Sequence, residues 1–490
     1  MPSSATDPVT RTNFDKRTCR RQHAAPFAAA IARHRASLPA PVPTQGTPAA
    51  ATTAVYVRKR PLFAAEAARG EFDVVTVADG SSLLVHVAAM KPDLRRMFLK
   101  TLRCGWATCF CENATDEAVY EATAAPLIAA AVHNRPAALF MFGQTGSGKT
   151  HTSGALEGRI AHVLLAGDSG AGVRCSFFEI LGKHAVDLLR EGRTEVTLRE
   201  LPPSKGCAVG AMELQGAMEL HARTAEELLA AISAGKARRA MSATSANAAS
   251  SRSHAVLRLS LPGGGSLTLV DCAGSERNED SGHHDASQRV TGAAINASLY
   301  ALKECIRARA KAAAKAGATL GAHIHVPYRA TLLTRVLAEC LTCRDAQLAV
   351  IGTLSPAAAD TEHSIGTLQA LAVLAGCEEG HAFTECLEDV PEGLYIDPLG
   401  AARCRQPDRK VPPVQWRPAD LRAWLSAAKQ GAFAAAAAAA PQWLAGRDVA
   451  RMSKAGVTSV LAQGDAKLGA ALYEAFREEI AAAASFRASK

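Results

Sequence analysis

Residues 137–150 read Ala-Ala-Leu-Phe-Met-Phe-Gly-Gln-Thr-Gly-Ser-Gly-Lys-Thr, a short apolar run followed at once by a glycine-rich loop. The run is too short for an independent helix and predicts a buried strand. The loop fits the pattern Gly-x-x-x-x-Gly-Lys-Ser/Thr, in which glycines let backbone N–H groups turn towards phosphate oxygens. Residues after Thr150 can begin a helix, whose N-terminus adds positive potential. The segment therefore predicts a nucleotide phosphate site.

Two other segments supply what a phosphate loop needs around it. The stretch Leu-Val-Asp-Cys-Ala-Gly-Ser-Glu at 269–276 is a strand running into Asp271, which suits the magnesium side, and Gly274, whose amide suits a γ-phosphate. The stretch Asn-Ala-Ala-Ser-Ser-Arg-Ser-His at 247–254 is a hydroxyl-rich loop that can supply a Mg²⁺ ligand and hydrogen bonds. No asparagine is followed by lysine, as a guanine-reading Asn-Lys-x-Asp would require. ATP is therefore preferred to GTP.

The order of periodic segments predicts an α/β fold with a smaller all-α domain behind it. Apolar strand candidates at 54–58, 72–77, 137–142, 173–180, 255–261, 267–271 and 348–353 alternate with helical spacing at 116–132, 225–236, 292–309, 330–341 and 362–375. Such alternation favours a central, mostly parallel sheet covered by helices on both faces. The predicted boundaries are a basic flexible arm (1–50), the α/β domain (51–376), a linker (377–413), a helical domain (414–483) and a tail (484–490).

Composition narrows the class of protein. The 490 residues are 48% hydrophobic and 21% charged, which excludes disorder of the whole chain. The net charge of +9 suits nucleic acid, an acidic membrane surface or an acidic protein. Neither a transmembrane helix nor a secretory signal is expected, and a transit peptide is a minor alternative. The thirteen cysteines follow no zinc-ligand spacing.

The three motifs together resemble the kinesin motor domain, whose order and spacing they share. Further matches across 55–375 are Arg-Lys-Arg-Pro-Leu at 58–62, Phe-Phe-Glu-Ile at 177–180, Asp-Leu-Leu at 187–189, Ile-Asn-x-Ser-Leu at 295–299, Val-Pro-Tyr-Arg at 326–329 and Leu-Thr at 333–334. The resemblance covers about two thirds of the chain. It implies a P-loop ATPase that uses ATP and Mg²⁺ and binds tubulin and microtubules. It also implies a cytoplasmic, cytoskeletal site, such as the spindle or axoneme, and no nucleic-acid or membrane partner.

The resemblance assigns a role to each matching residue. Arg58, Arg60, Pro61 and His151 would frame the adenine. The phosphate loop would comprise Gly143, Gln144, Thr145, Gly146, Ser147, Gly148, Lys149 and Thr150. Mg²⁺ would be held by Thr150, Ser251 and, through water, Asp271. Ser250 and Ser251 would close on the γ-phosphate and Gly274 would sense it. A salt bridge between Arg252 and Glu276 would latch the two switch loops and help to place the attacking water, as a directional charge-assisted pair can.

A narrower resemblance points to the internal-motor, microtubule-depolymerising kinesins (the kinesin-13 family). It rests on residues 58–62, on Leu-Lys-Glu-Cys-Ile-Arg at 302–307 and on a basic neck, whose end would be a short helix at 26–38. The neck would grip acidic tubulin through Arg17, Arg20, Arg21, Arg33 and Arg35. That family has a Lys-Val-Asp loop tip, and here the tip reads Lys91-Pro92-Asp93. Proline fixes φ and stiffens the tip, so the match is not full. A heptad run is missing, which argues against a walking coiled-coil dimer. A translocating or bundling kinesin remains the first alternative.

The surface expected to face tubulin departs from the family pattern. Ala297 and Leu332 stand where the family has lysines. A long segment after 307 carries Arg307, Arg309, Lys311 and Lys315. It is either a flexible basic loop that replaces the lost lysines or a solvated helical extension. A microtubule-associated scaffold with a degenerate motor is the second alternative.

The C-terminal segment resembles a sterile alpha motif (SAM) domain. The pattern is Trp416-x3-Asp-Leu-x2-Trp-Leu425, then Trp443-Leu-x-Gly446, then Gly456-Val457 and a long final helix at 464–482. The resemblance implies self-association or a protein partner. A generic helical bundle is the alternative.

Overall fold

The computed structural model describes residues 16–38, 53–90, 97–105, 107–166, 172–192, 194–203, 209–210, 212–241, 252–274, 286–316, 325–377, 382–390, 412–441 and 443–488. The chain divides into two compact units, one of residues 1–89 and 97–393 and the other of residues 90–96 and 394–490. We call them the larger unit and the smaller unit. Among the described helices, none is both long enough and apolar enough to cross a lipid bilayer.

All strands of the described chain lie in the larger unit. They are β1 (Thr53–Lys59), β2 (Val75–Asp79), β3 (Ser82–Met90), β4 (Met97–Cys104), β5 (Thr108–Phe110), β6 (Pro136–Phe142), β7 (Val173–Leu181), β8 (His184–Asp187), β9 (Glu195–Glu200), β10 (Met212–Gln215), β11 (Leu220–Ala222), β12 (His254–Ser260), β13 (Ser266–Asp271), β14 (Gln347–Leu354) and β15 (Thr384–Val390).

The central sheet has the order β10-β9-β8-β7-β12-β13-β6-β14-β1-β5, with β11 pairing with β7. The strands from β13 to β5 are parallel. On the other side of β13, the strands β12, β7, β8, β9 and β10 pair antiparallel. The predicted mostly parallel centre is confirmed, and the antiparallel half arises because short turns join β12 to β13 and β7 to β8.

Helices cover the central sheet on both faces. The helices of the larger unit are α1 (Lys16–Gln22), α2 (Ala24–Ser37), α3 (Ala64–Ala67), α4 (Asp116–Val132), α5 (Lys149–Leu164), α6 (Ala225–Met241), α7 (Ala286–Ala316), α8 (Leu332–Val336), α9 (Ala338–Thr342) and α10 (Thr361–Leu374), with 3-10 turns at Tyr328–Ala330 and Ala358–Asp360. Helices α4, α5 and α6 bury their apolar sides on one face. Helices α9 and α10 contact the strands β6 and β14. Because β6 is buried along its whole length, it carries no alternation of polar and apolar residues.

A second, four-stranded sheet has the order β15-β4-β3-β2. Strand β15 lies in the segment predicted to be linker, and that prediction is wrong for 384–390. The strand pairs antiparallel with β4 from Thr384 opposite Arg103 to Val390 opposite Met97. A salt bridge of 2.6 Å joins Lys100 to Glu385 across the pair. Its sequence, Thr-Glu-Cys-Leu-Glu-Asp-Val, is acidic, as suits an exposed sheet edge, and so it does not look like a buried strand.

Where the structure describes the arm, at 16–38, it is helical: the flexible interpretation is wrong for 16–25, and the short helix predicted over 26–38 is present as α2. Helices α1 and α2 pack against the larger unit. On α2, Phe27, Ala30 and Ile31 are buried at the i, i+3, i+4 spacing of one helix face. The Phe27 ring stacks on Phe72 with centroids 6.2 Å apart. Three apolar residues on one face are enough to dock a short helix although its overall composition is basic.

The smaller unit is helical where it is described. Its helices are α11 (Pro418–Ala427), α12 (Ala434–Ala439), α13 (Gly446–Arg451), α14 (Lys454–Val460) and α15 (Ala466–Ala488), with 3-10 turns at Pro413–Gln415 and Ala428–Gly431. Trp416 and Trp424 are buried with ring centroids 5.7 Å apart, and both lie edge-on to Phe476. Trp443, in contrast, is 67% exposed. The aromatic cluster gives this alanine-rich segment a core of its own.

Candidate nucleotide site

The phosphate loop follows β6 at the carboxyl edge of the central sheet, where parallel α/β proteins bind ligands. Gly143 has a φ of 150°, and a Cβ atom there would lie 2.6 Å from the Thr353 carbonyl oxygen on β14. Gly148 has a φ of 106° and immediately precedes α5. Both positions therefore require glycine, one for close packing and one for the turn into the helix.

The loop closes on its own lysine. The Lys149 ammonium is buried and donates hydrogen bonds of 2.9 Å to the carbonyl oxygens of Gly143 and Gln144. The Ser147 hydroxyl donates to the Gln144 carbonyl oxygen at 2.7 Å and lies 2.7 Å from the Thr353 hydroxyl. A charged phosphate oxygen is a stronger acceptor than a neutral carbonyl. The buried cation is therefore already held at the loop that phosphate would occupy.

The two arginines predicted to frame the adenine lie at the end of β1, beside the phosphate loop. Arg58 is in the strand, and Arg60 directly follows it. Arg60 donates from Nε to the Gly146 carbonyl oxygen at 2.8 Å and from Nη2 to the Ser355 hydroxyl at 2.9 Å. It also makes a bidentate pair with Glu66 at 2.6 and 2.8 Å. These bonds lower the pKa of the Glu66 carboxyl. Arg60 thereby fixes one rim of the loop, and Glu66 is a supporting residue that no motif marked.

Arg58 lies beside the first turn of α5, bonded to the Thr152 hydroxyl at 3.2 Å and to Asp116 at 2.5 Å. Pro61 and His151 are exposed, as are Thr145, Gly146 and Thr150. The structure thus brings β1, the phosphate loop and the start of α5 together around one crevice. It supports the predicted grouping of these residues, and their contacts with a nucleotide remain a prediction.

The other side of the crevice carries a carboxylate suited to a metal. Asp271 ends β13 next to β6, and its Oδ2 accepts a hydrogen bond from the Thr150 hydroxyl at 3.3 Å. Its Oδ1 is buried without a hydrogen-bond partner among the described residues. A hydroxyl and a carboxylate are oxygen ligands of the kind Mg²⁺ takes, often through water. The residues present therefore fit a magnesium site, with Thr150 and Asp271 as its protein side.

A buried network behind Asp271 was not predicted from the sequence. Arg239, at the end of α6, lies 3.3 Å from Asp271 Oδ2 and donates to the Ser253 carbonyl oxygen at 2.6 Å. The Ser253 hydroxyl donates to Glu179 at 3.0 Å. Arg239 stands in no motif, so the only hint in the sequence was that a buried aspartate needs a cation.

Several predicted catalytic residues lie outside the described part of the chain. They are Ser250, Ser251 and Glu276, and the loop tip with Lys91 and Asp93 is outside it as well. Arg252 is described and half-buried, and Gly274 is buried three residues beyond the end of β13. The Arg252–Glu276 latch therefore stays a prediction.

The segment after 307 continues α7 to Ala316, so the flexible-loop interpretation is wrong up to that residue. Arg309 is buried and donates to the carbonyl oxygens of Cys340 and Cys343, at 2.6 and 2.9 Å. It cannot face a partner, whereas Lys311 is exposed. Ala297 is also exposed on α7. The basic replacement for the lost lysines is thus smaller than the sequence suggested.

Comparison with known protein families gives a match to most of the larger unit. The family model described as the kinesin motor domain matches residues 58–372, which is 315 of the 490 residues. The matched region begins at Arg58 in β1 and ends within α10, so it contains every element that forms the crevice.

Proposed function

The chain belongs to the kinesin motor family, and on that premise we propose that it is an internal-motor, microtubule-depolymerising kinesin. Kinesin motor domains bind ATP with Mg²⁺, are microtubule-stimulated P-loop ATPases and act on the microtubule cytoskeleton. Depolymerisation is the finer step. The proposed activity couples ATP hydrolysis to removal of tubulin from microtubule ends, on spindle or axonemal microtubules.

The observation that carries the proposal is a two-stranded finger formed by β3 and β4. The two strands are neighbours in the small sheet. Strand β3 ends at Met90 and β4 begins at Met97, so residues 91–96 connect them. This connection holds Lys91 and Asp93, the charges of the depolymerase-like tip. Strand β15 pairs with β4 from Arg103 to Met97, so it braces the finger along its length as far as the start of the tip. A braced finger is the support that a tip needs in order to press on tubulin.

The nucleotide roles are proposed for the residues assembled around the crevice. Lys149 holds the phosphates, Thr150 and Asp271 hold the metal side, and Arg60 keeps the rim of the loop in place. Ser250, Ser251, Arg252, Gly274 and Glu276 are proposed to close on the γ-phosphate when it is present. Mg²⁺, when bound, would neutralise the part of the negative phosphate charge that these side chains do not.

The pocket is tested first. Replacing Lys149 by Ala removes the buried cation, and the ATPase rate should fall about 100-fold or more. Circular dichroism should remain that of a folded protein. Lys429→Ala removes an exposed lysine of the smaller unit and should leave the rate unchanged. Near-normal hydrolysis by a folded Lys149→Ala protein would refute the proposed pocket.

Depolymerisation is tested on stabilised microtubules with the full chain and ATP. The polymers should shorten from both ends. The double variant Lys91→Ala, Asp93→Ala should stop shortening and spare basal ATPase. A matched control is Glu117→Ala with Arg159→Ala, which also removes one charge of each sign, at an exposed 2.7 Å pair between α4 and α5. Gliding without shortening would overturn the proposal in favour of a translocating or bundling kinesin.

The second candidate function is a microtubule-associated scaffold, favoured by the exposed Ala297 and the buried Arg309 on α7. Microtubule binding that does not depend on nucleotide would support it.

For the smaller unit we propose a SAM-like role in association. Its five described helices around a Trp416–Trp424–Phe476 cluster support this, as does the exposed Trp443. Analytical ultracentrifugation of the full chain and of a chain ending at Gly393 tests this proposal. The full chain should form larger assemblies, and the same number of chains per assembly in both proteins would contradict it.

A further inference from the structure

Helices α1 and α2 dock on the larger unit through arginines, and Arg20 is the most deeply buried of them, at 1% exposure. Its guanidinium makes a bidentate pair with Glu362 on α10, at 2.7 and 2.8 Å. The same group donates to the carbonyl oxygens of Ala88, at 3.0 Å, and Ala358, at 3.1 Å. Burial raises the pKa of Glu362, but the Arg20 hydrogen bonds and charge outweigh burial and lower it. The Arg20 guanidinium thus joins α1 to β3, to the 3-10 turn at Ala358–Asp360 and to the start of α10.

Two further arginines point to the same region. Arg21 bonds Glu71 at 2.6 Å, and the second oxygen of Glu71 accepts the backbone N–H of Ala359 at 2.8 Å. Arg35 pairs with Asp73 at 3.1 Å. The charges of these arginines are balanced by carboxylates inside the larger unit. The expectation that the neck arginines grip acidic tubulin is therefore wrong for the buried Arg20, while Arg21 and Arg35 already have carboxylate partners.

The segment that Arg20 holds is also the segment that supports the phosphate loop. Between β14 and α10, the side chains of Ser355 and Ala358 are buried, as is that of Ser364 in the first turn of α10. The Ser364 hydroxyl donates to the Ser355 carbonyl oxygen at 3.1 Å, which ties the two ends of the segment together. On its other side, the Ser355 hydroxyl accepts from Arg60 at 2.9 Å, and Arg60 donates to the Gly146 carbonyl oxygen. Only short, direct contacts separate Arg20 from the phosphate loop.

We propose that Arg20 is a positioning residue for the nucleotide pocket, and that docking of α1 and α2 sets the affinity of the motor for ATP. Without Arg20, the Glu362 carboxylate loses its bidentate partner, the Ala358 carbonyl loses one of its donors, and the start of α10 loosens. Ser355 then holds Arg60 less firmly, and the rim of the loop at Gly146 moves more freely. The inference rests on the proposed pocket and not on depolymerisation.

The test uses the full chain without tubulin, so that any tethering to microtubules plays no part. Arg20→Ala should raise the KM for ATP about 5-fold, a size typical of coupling through packed contacts. The value of kcat should change less. Lys16→Ala is the matched control, because Lys16 reaches the same Glu362 carboxylate at 4.0 Å but is 74% exposed. Its KM should be unchanged. Arg20→Lys keeps the charge without the bidentate geometry and should restore part of the affinity.

The outcomes separate the positioning role from the pocket itself. A normal KM in a folded Arg20→Ala protein overturns the inference, and the pocket still stands if Lys149→Ala is inactive. An altered melting temperature with an unaltered KM likewise overturns it, because a purely structural role predicts that pattern. Should Arg20→Ala fail to fold, Glu362→Gln keeps the side-chain volume and removes the charge. Its affinity for a fluorescent ATP analogue then decides: weaker binding supports the inference and unchanged binding overturns it.

Discussion

At the scale of single residues, His254 is a buried histidine beside the candidate site that makes the stability of the fold depend on pH. Its Nδ1 accepts the backbone N–H of Ala273 at 3.2 Å, so its Nε2 carries the proton and donates to the Ser298 hydroxyl at 2.7 Å. An imidazolium could not accept the first bond. Burial, helped by the Arg239 and Lys149 charges, lowers the pKa of His254 to about 3. His86 is buried in the small sheet and has a pKa of about 3 as well.

We expect the stability of the protein to fall as pH drops from 6.5 towards 3 on account of these two histidines. In that window the unfolded chain binds protons that the folded chain does not, so the free energy of unfolding decreases with falling pH. Above pH 6.5 the two histidines contribute no slope. His254→Gln keeps one donor and one acceptor but does not titrate, so its unfolding free energy should depend less steeply on pH. Urea titrations between pH 4.5 and 8 measure this. His184→Gln, at an exposed histidine, is the control, and a slope shared by all three proteins would contradict the expectation.

The chemistry of the crevice was predictable residue by residue only where a motif marked it. Lys149, Thr150 and Asp271 could be placed because glycines and an aspartate recur at fixed distances from strands. Glu66 and Arg239 could not, since neither stands in a motif: Glu66 pairs with Arg60 across a turn, and Arg239 pairs with Asp271, 32 positions away. Arg20 was predicted to face tubulin because a lone arginine in a basic segment gives no sign of the carboxylate 342 positions further on.

At the scale of elements, β15 is a docked edge strand, and proline can test whether it stays docked. N–H groups along an edge strand point alternately towards its neighbour and towards solvent. Of Cys386→Pro and Leu387→Pro, therefore, one should remove a hydrogen bond to β4 and the other should not. We expect one variant to lose hydrogen-exchange protection across Met97–Cys104, with about 3 kcal/mol or less of local stability, while the other serves as its control. Full protection in both variants would show that β15 pairing does not stabilise β4.

The seven strands predicted from apolar runs are all present, six of them in the central sheet with mostly buried residues and β2 half-buried at an edge of the small sheet. The strands β3, β4, β5, β8, β9, β10, β11 and β15 were missed. Several of them are short, and three lie at sheet edges: β5 has only three residues, and β10 and β15 alternate poorly or are acidic. The helix predicted at 330–341 is broken into α8 and α9 after a 3-10 turn. Such breaks depend on packing against β6 and α7, which local spacing does not report.

At the scale of the whole molecule, the net charge of +9 says little about track binding, because several arginines are used internally. Exposed positions on α7 decide more. Replacing Ala297 by Lys restores the family's charge and should tighten microtubule binding about 3-fold, and the gain should shrink with added salt. Cosedimentation at 50 and 200 mM salt measures it. Ala129→Lys adds the same charge at an exposed position on α4 and should have little effect. Equal gains from both variants would point to non-specific attraction.

Helix α2 lies against β4 and β15, and His34 on the helix is 3.4 Å from Glu388 on the strand. Helix α2, near the start of the described chain, and β15, the last strand of the larger unit, therefore lie side by side. A domain whose early and late elements meet in this way can be inserted into a longer chain with its flanking segments close together. Tension between those segments would act first on these outer elements and only later on the central sheet.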